Sequence, residues 1–158
     1  MTRTAPPAQG SWSRRTLLVL RLALGGIFVF ASLDKLLHPA AFAEIIVSYR
    51  VLPAVLVNAA AIVLPWLELV LGLLLLAGRL LDGALLLVNL LLLAFWGSLV
   101  FNYARGLDVH CGCFSTAAVA AGDMGWYVIR DGLFVALALA CMVFFLHVAR
   151  TGCRSGPQ

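Results

Sequence analysis

The chain has 158 residues, of which 63% are hydrophobic and 11% charged. Soluble domains carry about 45–50% apolar and about 25% charged residues, so a water-soluble globule, a disordered chain and a coiled coil are excluded. The net charge of +4 comes from arginines that flank apolar runs, a distribution that suits a membrane protein and not a nucleic-acid groove.

The first apolar span runs from about Thr16 to Leu33 and carries one charge, Arg21. Before it, Ser13-Arg14-Arg15-Thr16 has the look of a twin-arginine export signal. Arg21 interrupts the apolar region, however, and Asp34-Lys35 follows without a small-residue cleavage site, so the span is expected to remain in place. Between His38 and Pro53, Phe42, Ile45, Ile46 and Tyr49 recur at i, i+3, i+4 and i+7, the pattern of an amphipathic helix lying on the membrane surface. The second span, Val55–Ala77, contains Pro65 and Glu68. The third, Leu80–Phe101, opens with Asp82. The fourth, Gly125–Val148, has Arg130 and Asp131 in its first turns. Each matches the roughly 20 residues that a hydrocarbon core requires, and in lipid each must be helical to satisfy its backbone. The expected fold is all-α: an integral membrane four-helix bundle over residues 1–158, with an outward interfacial helix between helices 1 and 2.

Basic residues in short loops set orientation. Arg3, Arg14, Arg15, Arg79, Arg150 and Arg154 fall on one side, and Lys35, Arg50, Arg105 and Arg130 on the other. Both termini are therefore expected in the cytoplasm of a bacterial inner membrane, with the loops around 34–54 and 102–125 facing outward.

The second outward loop holds the chemistry. It contains Arg105, Asp108, His110, Cys111 and Cys113. Cys153 lies across a core of about 30 Å, and Cys141 is expected to be a small buried hydrophobe. Cys111 and Cys113 are then each other's plausible intramolecular partners. A Cys-Gly-Cys bridge closes a very small ring, whose strain favours reduction. Arg105 and the N-terminal end of the fourth span favour a thiolate, and His110 supplies a proton acceptor. Three readings stand side by side: thiol–disulfide exchange at the catalytic candidates Cys111 and Cys113, an inert bridge or free thiols, or zinc or cuprous copper held by His38, His110, Cys111 and Cys113. A single residue between the cysteines is short for a metal site.

Charges inside a span are functional candidates. Counting the rise from each inner end places Arg21 and Glu68 in the same half of the bilayer, where they are expected to pair. Arg130 and Asp131 lie near the outer boundary beside the cysteine loop, with Asp34 and Lys35 at similar depth. Trp96, Trp126 and Tyr127 read as packing or interfacial aromatics.

Several pieces together resemble the MauE branch of the DoxX-like membrane proteins. They are Arg21-Leu-Ala-Leu-Gly25 with Asp34-Lys35-Leu36, Phe42-Ala43 to Tyr49 with Leu52-Pro53, and Leu64-Pro-Trp-Leu-Glu-Leu69 with Gly72. They continue in Asn102, Arg105-Gly-Leu-Asp108, Cys111-Gly-Cys-Phe114 and Arg130-Asp131. Ser115 and Ser48 depart from the pattern, where a glycine and an asparagine are expected. The resemblance implies a four-helix membrane protein with a redox-associated role outside the membrane, linked to maturation of methylamine dehydrogenase. Its expected partners are membrane lipid and a periplasmic thiol or disulfide protein, with no nucleic acid. A looser likeness, to four-helix disulfide-forming quinone reductases, makes a quinone the candidate cofactor. Those enzymes carry additional reactive cysteines, and this chain has the one outward pair. A non-enzymatic assembly subunit of a membrane redox complex is the competing reading.

Overall fold

The computed structural model describes residues 9–107 and 124–154. They form α1 (Gln9–Leu37), α2 (Pro39–Tyr49), α3 (Ala54–Ala77), α4 (Leu81–Ala104) and α5 (Met124–Arg154). Every helix except α2 is long and apolar enough to cross a membrane. The expected all-α membrane bundle is thus observed, with α2 at the position where the amphipathic pattern predicted it.

The long helices close into a ring. α1 packs on α3 and α5, α4 packs on the same two, and among the described residues the backbones of the diagonal pairs stay apart. Leu24, Phe28, Leu71, Leu75, Leu85, Val88, Ala138 and Cys141 fill the centre. Val19, Phe30, Ile62, Leu133 and Val143 are each more than half exposed. Such a surface would be costly in water and is neutral against lipid tails, where burial of apolar side chains gives helices no reason to associate.

Close backbone contact supplies that reason between α1 and α3. A Cβ on Gly25 would lie 3.0 Å from the Gly72 carbonyl oxygen, and one on Gly72 would lie 2.9 Å from Val29 Cγ2 and 3.0 Å from the Gly25 carbonyl oxygen. Only glycine at both positions lets the helices meet at this distance. Inside α3, Pro65 removes the hydrogen bond that the Ala61 carbonyl would otherwise accept. α3 ends at Gly78, whose φ of 71° is left-handed. The Gly78 amide donates to the Leu74 and Leu75 carbonyls and the Arg79 amide donates to Leu74, so the last carbonyls are satisfied before the chain turns into α4.

α4 and α5 are tied by side chains. Asn89 Nδ2 donates to the Leu85 carbonyl and, across the interface, to the Ala138 carbonyl at 3.3 Å. Trp96 Nε1 donates to the Val128 carbonyl at 3.0 Å. Gly132 leaves the opening for this ring, since a Cβ there would lie 3.3 Å from Trp96 Nε1.

α2 starts with Pro39 at its first helical position, where a missing N–H costs nothing. It ends at Arg50, left-handed at φ 50°. It rests mainly on α3 and also touches α1 and α4, with Phe42 as its buried anchor.

Two glycine substitutions on α1 and α3 separate contact from propensity. Gly72→Ala should destabilise the bundle by about 1–3 kcal/mol through overpacking. Gly26, which has nothing within 4 Å of a built Cβ, should tolerate alanine with no loss, or gain up to about 1 kcal/mol from helix propensity. Unfolding by sodium dodecyl sulfate titration in mixed micelles measures both.

Candidate functional site

At the end of the bundle that carries α2, Lys35 and Glu68 form a buried ion pair. Their side chains are 5% and 6% exposed. Lys35 Nζ donates to both carboxylate oxygens, at 2.8 and 2.7 Å. The ammonium also lies 5.3 Å from the centre of the Phe42 ring and 5.5 Å from that of Phe95, within range of cation–π attraction. The helix register explains the reach. Contacts between Gly25 and Gly72, and between Val29 and Gly72, place Glu68 beside the stretch of α1 just before Lys35. Helical side chains lean toward the N-terminus of their own helix, so the lysine runs back along α1, into the bundle rather than out to its end.

A second pair lies across the bundle on α5. Arg130 Nη2 is 2.9 Å from Asp131 Oδ1, and Nε donates to the same oxygen at 3.0 Å. The arginine also covers the Tyr127 ring at 5.2 Å. Asp131, Lys35 and Glu68 line one cavity of 60 Å³, whose remaining wall includes Phe28, Phe42, Phe95, Trp96 and Phe134. An adjoining cavity of 300 Å³ lies beneath α2. It shares Phe42, Phe95 and Asp131 with the first and adds Ile45, Ile46, Tyr49, Leu64, Leu91 and Ser98. The four pattern residues of α2 therefore turn toward these cavities. Burial pushes the Tyr49 phenol well up from its usual value; the Asp131 carboxylate adds to the shift and the Arg130 guanidinium opposes it. The phenol is a neutral hydrogen-bonding group throughout the physiological range.

The expected partnership of Arg21 and Glu68 is corrected by this arrangement: Glu68 is held by Lys35. The Arg21 guanidinium instead sits against Gly78 at the end of α3, in the space a Cβ would occupy. Gly78 is ten residues from Glu68, about 15 Å along the helix. There a cation faces the carbonyl end of α3, where it is favoured. Lys35, read from sequence as one of several boundary charges, is the partner of Glu68 that sequence reasoning missed. Its signal was present in the pairing of Asp34-Lys35 with a glutamate that had no certain partner.

Asp131 and Arg130 stand together as their adjacency suggested. Arg105 caps α4, exposed, with its guanidinium 5.2 Å from the Phe101 ring centre. His38 is exposed, with Nδ1 3.7 Å from Asp34 Oδ1. Among the described residues no three His, Cys, Asp or Glu side chains gather as metal ligands. Asp108, His110, Cys111 and Cys113 lie outside the described residues. Cys141 is buried and free, as expected.

The family model for methylamine utilisation protein MauE matches residues 13–144. The methylamine utilization protein MauE of Paracoccus denitrificans is 35% identical over 126 residues, covering 78% of this chain and 67% of that protein. The protein of the same name from Methylorubrum extorquens is 30% identical over 136 residues, covering 85% and 69%. No solved structure matches the chain.

Two outcomes test the site. Lys35→Met or Glu68→Met alone leaves an uncompensated buried charge and should cost about 3–5 kcal/mol, whereas the double substitution should cost clearly less than the sum. Equilibrium unfolding in micelles gives the coupling, and additive losses would exclude the pair. For Tyr49, folded and unfolded chains are both neutral below pH 10, so the phenol adds no pH dependence there. Above pH 10 the unfolded chain ionises first and stability falls as pH rises. Absorbance at 295 nm should show a late phase coincident with unfolding that Tyr49→Phe removes.

Proposed function

Because the chain belongs to the MauE family of methylamine utilisation proteins, we propose that it acts from the bacterial inner membrane in the maturation of periplasmic proteins such as methylamine dehydrogenase. The proposed chemistry is thiol–disulfide exchange at Cys111 and Cys113. A thiolate of the partner attacks one sulfur of the Cys111–Cys113 disulfide, and the other cysteine leaves as a thiolate. The partner's second thiolate then breaks the mixed disulfide. The partner departs with a disulfide and this chain keeps the dithiol, so two electrons have moved to Cys111 and Cys113.

The observation that carries the reading is where the pair falls in the chain. Cys111-Gly112-Cys113 lies between α4, which ends at Ala104, and α5, which begins at Met124. That connection joins the end of the bundle that bears α2 and the Lys35–Glu68 site. Cys141 is in the packed centre, about 25 Å along α5 from Met124. The arginine distribution supports cytoplasmic termini and an outward-facing pair. Arg105 and His110 precede the pair as its activating groups, with Asp108 between them in sequence.

Two measurements test this. A membrane-impermeant maleimide applied to intact, reduced cells should label Cys111 and Cys113, and Cys153 only after the membrane is opened. Labelling of Cys153 from outside would reverse the orientation. In acid-quenched cells, Cys111→Ser should accumulate a reductant-sensitive adduct with a periplasmic protein, Cys113→Ser less of it and the double variant none. If neither single variant traps a partner and the double variant matures methylamine dehydrogenase normally, exchange at this pair is wrong and the assembly-subunit reading replaces it.

A further inference from the structure

The two cavities beneath α2 differ in character, and the difference has a direction. The inner one presents charge and flat rings: Lys35, Glu68 and Asp131 among Phe28, Phe95 and Trp96. At 60 Å³ it has room for on the order of five water-sized groups, the scale of one small ring. The outer one is five times larger at 300 Å³ and its walls are mainly aliphatic. A molecule filling both would have a compact ring at the inner end and an apolar tail at the outer.

The charges restrict the head further. Lys35, Arg130, Glu68 and Asp131 sum to zero, so an ionic head would bring an uncompensated charge into a low-dielectric site. The head must be neutral. Lys35 donates two N–H groups to Glu68, its ammonium lies over the rings of Phe42 and Phe95, and the Asp131 carboxylate lines the same cavity, near enough to feel its charge. An ammonium donor turned into a cavity prefers an oxygen acceptor. A plain acyl chain offers none, and it would set a methyl group against the ion pair.

We propose that the paired cavities bind a neutral, lipophilic ring carbonyl of the quinone class, with the ring between Phe42, Phe95 and Trp96, one carbonyl oxygen accepting from Lys35, and the tail running out beneath α2. Binding stands on these residues alone; the role of the ligand rests on the exchange reading above. In that role the Cys111–Cys113 dithiol becomes a disulfide, losing two electrons and two protons, and the ring gains both as it becomes the quinol. The pair is thereby restored for another partner.

The test uses the full chain in phospholipid nanodiscs free of quinone, with decylubiquinone as probe. Trp96 lines the inner cavity, while Trp12, Trp66 and Trp126 are mostly exposed to the surroundings. Saturable quenching of tryptophan fluorescence should accompany binding. A ring-azido analogue should label the segments Phe42–Tyr49 or Leu91–Ser98. Ala31→Leu, which fills the inner cavity and leaves both charged side chains in place, should weaken binding at least about tenfold by overpacking. Ser98→Leu, in the outer cavity, serves the same purpose if Ala31→Leu does not fold. Absence of saturable quenching, binding indifferent to the folded filling variant, or equal displacement by a long-chain alkane would overturn the proposal; the last would mark the cavities as an acyl-chain site. Repeating the titration on the Cys111→Ser/Cys113→Ser variant separates the two ideas. Binding retained there while partner trapping fails leaves the site standing and removes the exchange reading.

Discussion

An ammonium and a carboxylate held 2.7 Å apart and buried at the α2 end of a membrane bundle constrain everything around them. Neither charge is tolerable alone at that depth, and the pair is tolerable only if both carboxylate oxygens and the cationic face are satisfied. α1 must therefore approach α3 closely enough for a lysine to reach a glutamate. α2 must bring Phe42 over the ammonium, and α4 must bring Phe95. A buried ion pair is a poor way to gain stability, since apolar residues of equal volume often do as well or better. Four elements organised around such a pair indicate a site with a use.

The glycine contact between α1 and α3 is the other half of that constraint. Gly25 and Gly72 set the axial register, and the register decides which residue of α1 Glu68 meets. Lipid gives no general drive for helices to associate, so this contact and the polar ties from Asn89 and Trp96 to α5 carry the specificity of the ring. The same interlock makes the cavities under α2 durable, because their walls come from all five helices.

Much of the architecture was legible in the residues. Each span declares itself by apolar length, and α2 by the spacing of Phe42, Ile45, Ile46 and Tyr49, whose common face turned out to be the cavity wall. Charge partnership was less legible. Counting rise from the span ends set Glu68 beside Arg21, and Lys35 read only as a boundary charge. Three facts absent from a linear count decide otherwise: α1 continues to Leu37, the glycine contact shifts the register, and a lysine side chain leans back by several ångströms along its helix. Arg21 found a different solution, the carbonyl end of α3. The cavities could not be read at all, since they arise where faces of separate helices fail to fill the space between them. The cysteine pair was the most conspicuous feature of the sequence and falls outside the described residues, so its chemistry still rests on its motif and its place between α4 and α5.

The turn at Gly78 has a consequence for biogenesis. Only Gly78, Arg79 and Leu80 separate α3 from α4, and the capping hydrogen bonds close that connection tightly. Two spans joined so closely leave no length for a hydrated loop between them, so α3 and α4 form a tight helical hairpin. Glu68 and Phe95, which both meet the lysine, therefore belong to one hairpin, and Lys35 precedes them both in the chain. Synthesis from the N-terminus therefore makes the lysine before the glutamate, and Arg130 and Asp131 come last, with the helix that closes the ring.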